Sequence, residues 1–204
     1  MRIGVFGGTF DPVHLAHLIL AEQCREQAAL DQILFIPAAR PPHKQDQDIA
    51  SFDRRVEMLA LALAGNPAFR VDELEKNRAG PSYTVDTLTE LKSRQPEAQL
   101  FLIVGSDTLH ELATWRQPER ILELAKLLVV TRPGFPMLDC EPLRQALNLS
   151  RPIEVQPILS PLIDIASREI RRRVATGQSI RYLVPRSVEM YIKEKGLYEK
   201  GSKA

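Results

Sequence analysis

The sequence predicts an α/β domain built on a doubly wound, mostly parallel sheet. Short apolar runs alternate with helix-period segments in a βαβα order along the chain. The first run, residues 2–6, passes through Gly7-Gly8 into an amphipathic helix, the strand–turn–helix junction on which such sheets hold phosphates. No repeat, low-complexity stretch or linker divides the 204 residues, a length that suits one domain with a sizeable core.

Each element has its own local cause. Residues 2–6 are apolar enough for a buried strand, and the two glycines permit a tight turn with close backbone approach. Asp11-Pro12 is turn chemistry, and from about Val13 the spacing of Leu15, Leu18 and Ile19 is helical. Residues 33–37 (Ile-Leu-Phe-Ile-Pro) read as a second buried strand. Ser51 caps a helix through residue 64, with Val56, Leu59, Leu61 and Leu63 apolar. Residues 69–71 form a short strand, 83–92 a helix, and 100–104 a central strand ending in Gly105. A strand at 127–131 is closed by Arg132-Pro133-Gly134, and a last one falls at 153–156. Residues 167–176 and 187–195 read as two C-terminal helices, and the crossovers are expected to be right-handed.

Composition narrows the function classes. A hydrophobic fraction of 44% with 26% charged residues is ordinary for a soluble globular protein. A net charge of +1 gives no bulk attraction to nucleic acid or acidic membranes. No apolar run approaches the ~18 residues of a membrane span. The opening stretch, one arginine and a very short apolar run, is not expected to be a signal peptide. Cys24 on a helix and Cys140 in a loop region suggest reduced thiols, hence a cytoplasmic location.

Ligands of doubly wound sheets sit beyond the carboxyl ends of the strands, and segments 7–17, 37–44 and 105–115 all fall there. At the first, backbone N–H groups and the positive end of the helix suit an anion, and His14 and His17 can both point into the site. Two histidines three apart can also be ordinary surface residues or half of a metal site, but zinc usually wants three or four ligands and neither cysteine has a partner at metal-ligand spacing. No P-loop or dinucleotide fingerprint occurs. Pro41-Pro42-His43-Lys44 is a stiff loop whose lysine is either solvated or placed to reach a phosphate. At 81–87 a helix begins; Ser82 or Thr84 can cap it, and its opening N–H groups can also receive a carboxylate. Asp107 caps a short helix or faces a ligand; Trp115 is either a core residue, as a single tryptophan commonly is, or a residue of the mouth, since Ala113-Thr114-Trp115-Arg116 is no periodic apolar face.

Residues 7–17 resemble the GTFDP-x-H-x-x-H signature of the nucleotidyltransferase superfamily, adenylyltransferases related to class I aminoacyl-tRNA synthetases. Ala16 stands where the usual H-x-G-H pattern has glycine, a mild departure because alanine is small and a better helix former. P-P-H-K after the second strand and S-Y-T-x-D-T at 82–87 look like the bacterial nicotinate-mononucleotide adenylyltransferases. Ile165-Ala166-Ser167-Arg168-Glu169-Ile170-Arg171 resembles the second ATP signature, I-S-S-T-x-I-R, with Ala166 and Arg168 replacing hydroxyl residues.

The resemblance implies a Rossmann-like nucleotidyltransferase fold whose C-terminal helical part, 166–198, carries the second ATP motif. It implies attack of nicotinate mononucleotide on the α-phosphorus of ATP, giving deamido-NAD and pyrophosphate in NAD biosynthesis. His14 and His17 would then be catalytic. Gly7, Gly8, Thr9, Phe10, His14, His17, Gly105, Ser167 and Arg171 would bind ATP. Lys44, Tyr83, Thr84, Asp107 and Trp115 would bind the mononucleotide. Mg²⁺ is expected to arrive on ATP, held by phosphates and water, with no protein ligands. The expected partners are these small molecules, with neither nucleic acid nor membrane. Phosphopantetheine or nicotinamide-mononucleotide adenylyltransferase activity is the alternative; a nucleotide sensor without turnover is an alternative of another class.

Overall fold

Alternating side chains on six strands build one sheet with an apolar core on each face. The computed structural model describes residues 1–41, 49–131 and 139–200. Its strands are β1 (Arg2–Gly8), β2 (Gln32–Pro37), β3 (Phe69–Val71), β4 (Gln99–Gly105), β5 (Ala125–Thr131) and β6 (Val155–Leu159). They lie in the order β3-β2-β1-β4-β5-β6, and every pairing is parallel. The helices are α1 (Leu15–Gln27), α2 (Phe52–Leu63), α3 (Thr84–Arg94), α4 (Ser106–Glu111), α5 (Pro118–Leu124), α6 (Glu141–Ala146), α7 (Ser167–Ala175) and α8 (Arg186–Glu194). A 3-10 turn, Leu112–Thr114, follows α4.

Phe35, Phe101, Ile103 and Leu128 point to the core shared with α1, α2, α7 and α8. Leu34, Ile36, Leu102 and Val129, one residue out of step, point to the core shared with α3 to α6. Burial on both faces explains why these strands read as continuous apolar runs. The chain winds outward from β1 through β2 to β3, then returns to place β4 on the other side of β1. The switch point therefore lies between the carboxyl ends of β1 and β4, where such folds open a crevice. Among the described residues no helix is long and apolar enough to cross a membrane.

Several local expectations are corrected. Gly7 and Gly8 do not turn; they extend β1 and pair with Ile36 and Pro37, so the chain leaves the sheet only at Thr9. α1 begins at Leu15, with His14 as its extended N-cap at φ −142° and ψ 170°. The last strand lies at Val155–Leu159 rather than 153–156, and Pro157 is accommodated because β6 is an edge strand. Helices α5 and α6 were not anticipated. The turn at Arg132-Pro133-Gly134 lies outside the described residues.

Candidate active site

A cleft of about 330 Å³ opens at the switch point, walled by Gly7 and Gly8 of β1, Gly105 of β4, Thr84 of α3, and Trp115. A side chain built at Gly7 would meet nothing within 4 Å, whereas one at Gly8 would collide with the Phe10 ring at 2.9 Å. Glycine at position 7 keeps the cleft wall open, and at position 8 it admits the ring beneath the motif. Phe10 itself sits in the left-handed region, φ 50°, with its ring edge-on to Phe6 and His17.

The turn after Phe10 is anchored through Asp11, which is 1% exposed. Its Oδ1 accepts from the Ala50 N–H at 3.2 Å and from the Tyr198 hydroxyl at 2.6 Å. Arg171 of α7 donates to the Asp11 carbonyl at 2.7 Å and stands 3.4 Å from Oδ2. Ser167 donates to the Pro12 carbonyl at 3.0 Å. The start of α7 is thus fastened to the first motif, with the Ser167 hydroxyl and one Arg171 nitrogen occupied in the fastening. Burial, then the neighbouring Asp11 carboxylate, pushes the Tyr198 phenol up, so it stays a donor.

His14 and His17 follow the turn. The His14 N–H donates to Nδ1 of His17 at 3.2 Å, and the two rings stack with centroids 3.6 Å apart. Burial lowers the His14 pKa to about 4, and its Nδ1 has no hydrogen-bond partner among the described residues. Of the amides opening α1, that of Leu15 already donates to the Leu183 carbonyl at 3.0 Å, so this helix start offers fewer donors to an anion than expected.

The far wall is set by α3. Tyr83 is its N-cap, and the Thr84 and Val85 amides open the helix without intrahelical acceptors. A second hollow of about 380 Å³, lined by Tyr83, Thr84, Trp115 and Arg116, adjoins the cleft through Thr84 and Trp115. The Arg116 guanidinium lies over the Tyr83 ring at 4.7 Å, with Nη1 4.0 Å from the Asp86 carboxylate in the first turn of α3. Ser82 ties this loop to the exit of β2: its N–H donates to the Arg40 carbonyl, and its hydroxyl accepts from the Arg40 N–H. Trp115 is half-buried after the 3-10 turn, packed against the core on one side and lining both hollows. Asp107 belongs to the first turn of α4, and Lys44 lies outside the described residues.

Three buried polar residues were missed. Asp11 passed as turn chemistry. Arg55 is 1% exposed and spends its guanidinium on backbone carbonyls; the available signal was an arginine on the apolar stripe it shares with Met58, Leu59 and Leu63. Glu75 is 6% exposed and lines the cleft, accepting from the Thr87 hydroxyl at 2.5 Å and the Ala39 N–H at 3.4 Å. Nothing local in the sequence marks it. Among the described residues no three His, Cys, Asp or Glu side chains converge to hold a metal ion.

The cytidylyltransferase-like family model matches residues 5–173. A protein of Thermus thermophilus named "Probable nicotinate-nucleotide adenylyltransferase" is 48% identical over 97% of this chain and 100% of its own. One of Trichlorobacter lovleyi with the same name is 46% identical over 98% of this chain and 100% of its own. Among solved structures, a Plasmodium falciparum nicotinic acid mononucleotide adenylyltransferase complexed with NaAD superposes with a TM-score of 0.77. That match covers 97% of both chains at 20% identity and bears on the fold alone. Together the family model and the full-length relatives place this chain among the nicotinate-nucleotide adenylyltransferases of the cytidylyltransferase-like family.

Proposed function

We propose that the protein transfers the adenylyl group of ATP to nicotinate mononucleotide, releasing pyrophosphate and forming deamido-NAD. The observation that carries this reading is the cleft at the β1–β4 switch point, lined by Gly7, Gly8, Gly105, Thr84 and Trp115. It occurs in a chain 48% identical to a relative bearing that name.

A mononucleotide phosphate is already a nucleophile at neutral pH, so no side chain need attack. A phosphate oxygen bonds to the α-phosphorus of ATP, the bond from that phosphorus to the bridging oxygen breaks, and pyrophosphate leaves with the electron pair. Catalysis is then positioning and charge stabilisation. His17 takes the donor role: with Nδ1 accepting from the His14 amide, the proton of its neutral ring sits on Nε2. His14, neutral at pH 7, supports the stack, since two imidazolium rings at this separation would repel. Thr9 adds a hydroxyl, and Phe10 shapes the turn. The Ser167 and Arg168 amides at the start of α7, with Arg171, face the outer phosphates. Lys44 guides the incoming phosphate, Asp107 holds ribose hydroxyls, Trp115 stacks on the pyridine ring, and the start of α3 at Tyr83 and Thr84 receives its carboxylate. Mg²⁺ enters on the triphosphate as part of the substrate. Two free cysteines, one of them buried, fit a reducing cytoplasm.

The test is incubation with ATP, Mg²⁺ and nicotinate mononucleotide, with pyrophosphate and deamido-NAD both quantified. Equimolar appearance of the two supports transfer. ATP binding without either product favours a sensor.

A further inference from the structure

We propose that Arg55 is a positioning residue of this transfer: one buried guanidinium fixes the backbone beyond β1 against the backbone beyond β2, and so sets where the phosphate-facing turn stands relative to the exit of β2. The inference rests on the adenylyl-transfer reading and extends it to a residue outside every motif named above.

The geometry is specific. The β1–β2 ladder ends where the Ala38 N–H donates to the Gly8 carbonyl at 2.9 Å. Beyond it the strands part, and the next two carbonyls, of Thr9 and Ala38, have no sheet amide to receive. Nη1 of Arg55 donates to both, at 2.8 and 2.9 Å, while Nε donates to the Ala50 carbonyl at 3.0 Å. One side chain thus grips the turn that follows Gly8, the exit of β2, and Ala50, so Lys44 lies in sequence between two of the gripped points. The Ala50 peptide links the same arrangement to Asp11, whose carboxylate accepts its N–H.

The chemistry demands arginine. Three carbonyls are met by a rigid planar fork; lysine offers one nitrogen on a shorter stem and cannot span them. No carboxylate forms an ion pair with Arg55 among the described residues. Its hydrogen bonds among the described residues all go to carbonyl oxygens, and the Asp11 and Glu75 carboxylates are near enough to favour its charge. Such a buried cation is costly to keep, and here it lies behind the backbone proposed to face a polyphosphate. Gly8 and Ala38 both line the cleft, so a shift of either segment moves its wall. A misplacement of about 1 Å at a reacting centre costs on the order of a hundredfold in rate.

The experiment compares Arg55→Lys with the unmodified protein by steady-state kinetics and by amide hydrogen exchange. Because Arg55 touches neither the start of α3 nor Trp115, kcat should fall at least about tenfold while the KM of nicotinate mononucleotide moves less than about threefold. Exchange should quicken at residues 7–12 and 38–41 and stay unchanged in β4 and β5. A folded variant with kcat within about twofold of the unmodified protein overturns the proposal. So does exchange that quickens everywhere with kcat falling in step with the fraction of competent sites, or a variant that folds at no temperature, because Arg55 is then a requirement of the fold. If the unmodified protein releases no pyrophosphate, the transfer reading fails, and the exchange comparison still decides whether Arg55 holds the two segments.

Discussion

The His14 amide donates to Nδ1 of His17 at 3.2 Å while the two imidazoles lie stacked 3.6 Å apart, so the first histidine of the motif fixes the proton of the second. A backbone N–H that donates to Nδ1 requires that nitrogen to be bare, which leaves Nε2 as the donor. The relationship depends on His14 being an extended N-cap rather than a helical residue, because only then does its amide turn back over the first turn of α1.

Replacing His17 by alanine should cut turnover by about 10²–10³ with little change in mononucleotide affinity, since one preorganised donor to developing charge is removed. Steady-state kinetics beside a direct binding titration check this. Turnover within a few-fold of the unmodified protein would remove His17 from the chemistry.

His14 should make stability fall on mild acidification. Folded, it takes up a proton only near pH 4; unfolded, near 6.5. Between those values the unfolded chain holds the extra proton, so the contribution is fully present above about pH 6.5 and is lost as pH drops toward 4. The difference corresponds to about 3 kcal/mol. Urea midpoints measured across this range should slope less in His14→Asn; equal slopes would contradict the buried neutral ring.

Asp11→Ala should destabilise the protein by about 3 kcal/mol, because it leaves the Tyr198 hydroxyl and the Ala50 amide without their shared acceptor and takes away the carboxylate 3.4 Å from Arg171, whose hydrogen bond to the residue 11 carbonyl remains. Tyr198→Phe should cost only about 1 kcal/mol, since one hydrogen bond goes and the ring remains. Chemical denaturation separates the two, and equal losses would mean that Asp11 acts through Tyr198 alone.

Trp115→Ala should raise the KM for the mononucleotide by an amount worth roughly 1–3 kcal/mol and leave that for ATP nearly unchanged. If both constants move together with a lowered melting temperature, Trp115 is serving the core against which its other face packs.

Much of this architecture was legible in the chain because strand and helix periods are local. The strand at Phe69–Val71 and the helix capped by Ser51 follow directly from apolar spacing and a hydroxyl at the right position. Legibility failed where tertiary contact overrides local preference. Gly7 and Gly8 carry turn chemistry, yet β2 holds them in the ladder through Ile36 and Pro37. α5 and α6, of 7 and 6 residues, are too short to display a period. At the candidate site, the motifs are visible in the sequence through their spacing, whereas Arg55 and Glu75 are placed through carbonyls, an amide and a hydroxyl that only the fold brings near. The pairing of Ser167 with Pro12 and of Arg171 with Asp11 spans more than 150 residues of chain and leaves no local trace.

The most direct measurement is kcat/KM for nicotinate mononucleotide and nicotinamide mononucleotide, side by side with ATP, following pyrophosphate. The opening amides and positive end of α3 favour a charged carboxylate over a neutral amide, and an amide N–H₂ would leave a buried donor facing a donor. Those terms amount to about 2–4 kcal/mol, so the acid should be used roughly thirty- to a thousandfold more efficiently. Pyrophosphate release with neither mononucleotide would contradict adenylyl transfer itself, and equal efficiency with both would contradict a carboxylate pocket at the start of α3.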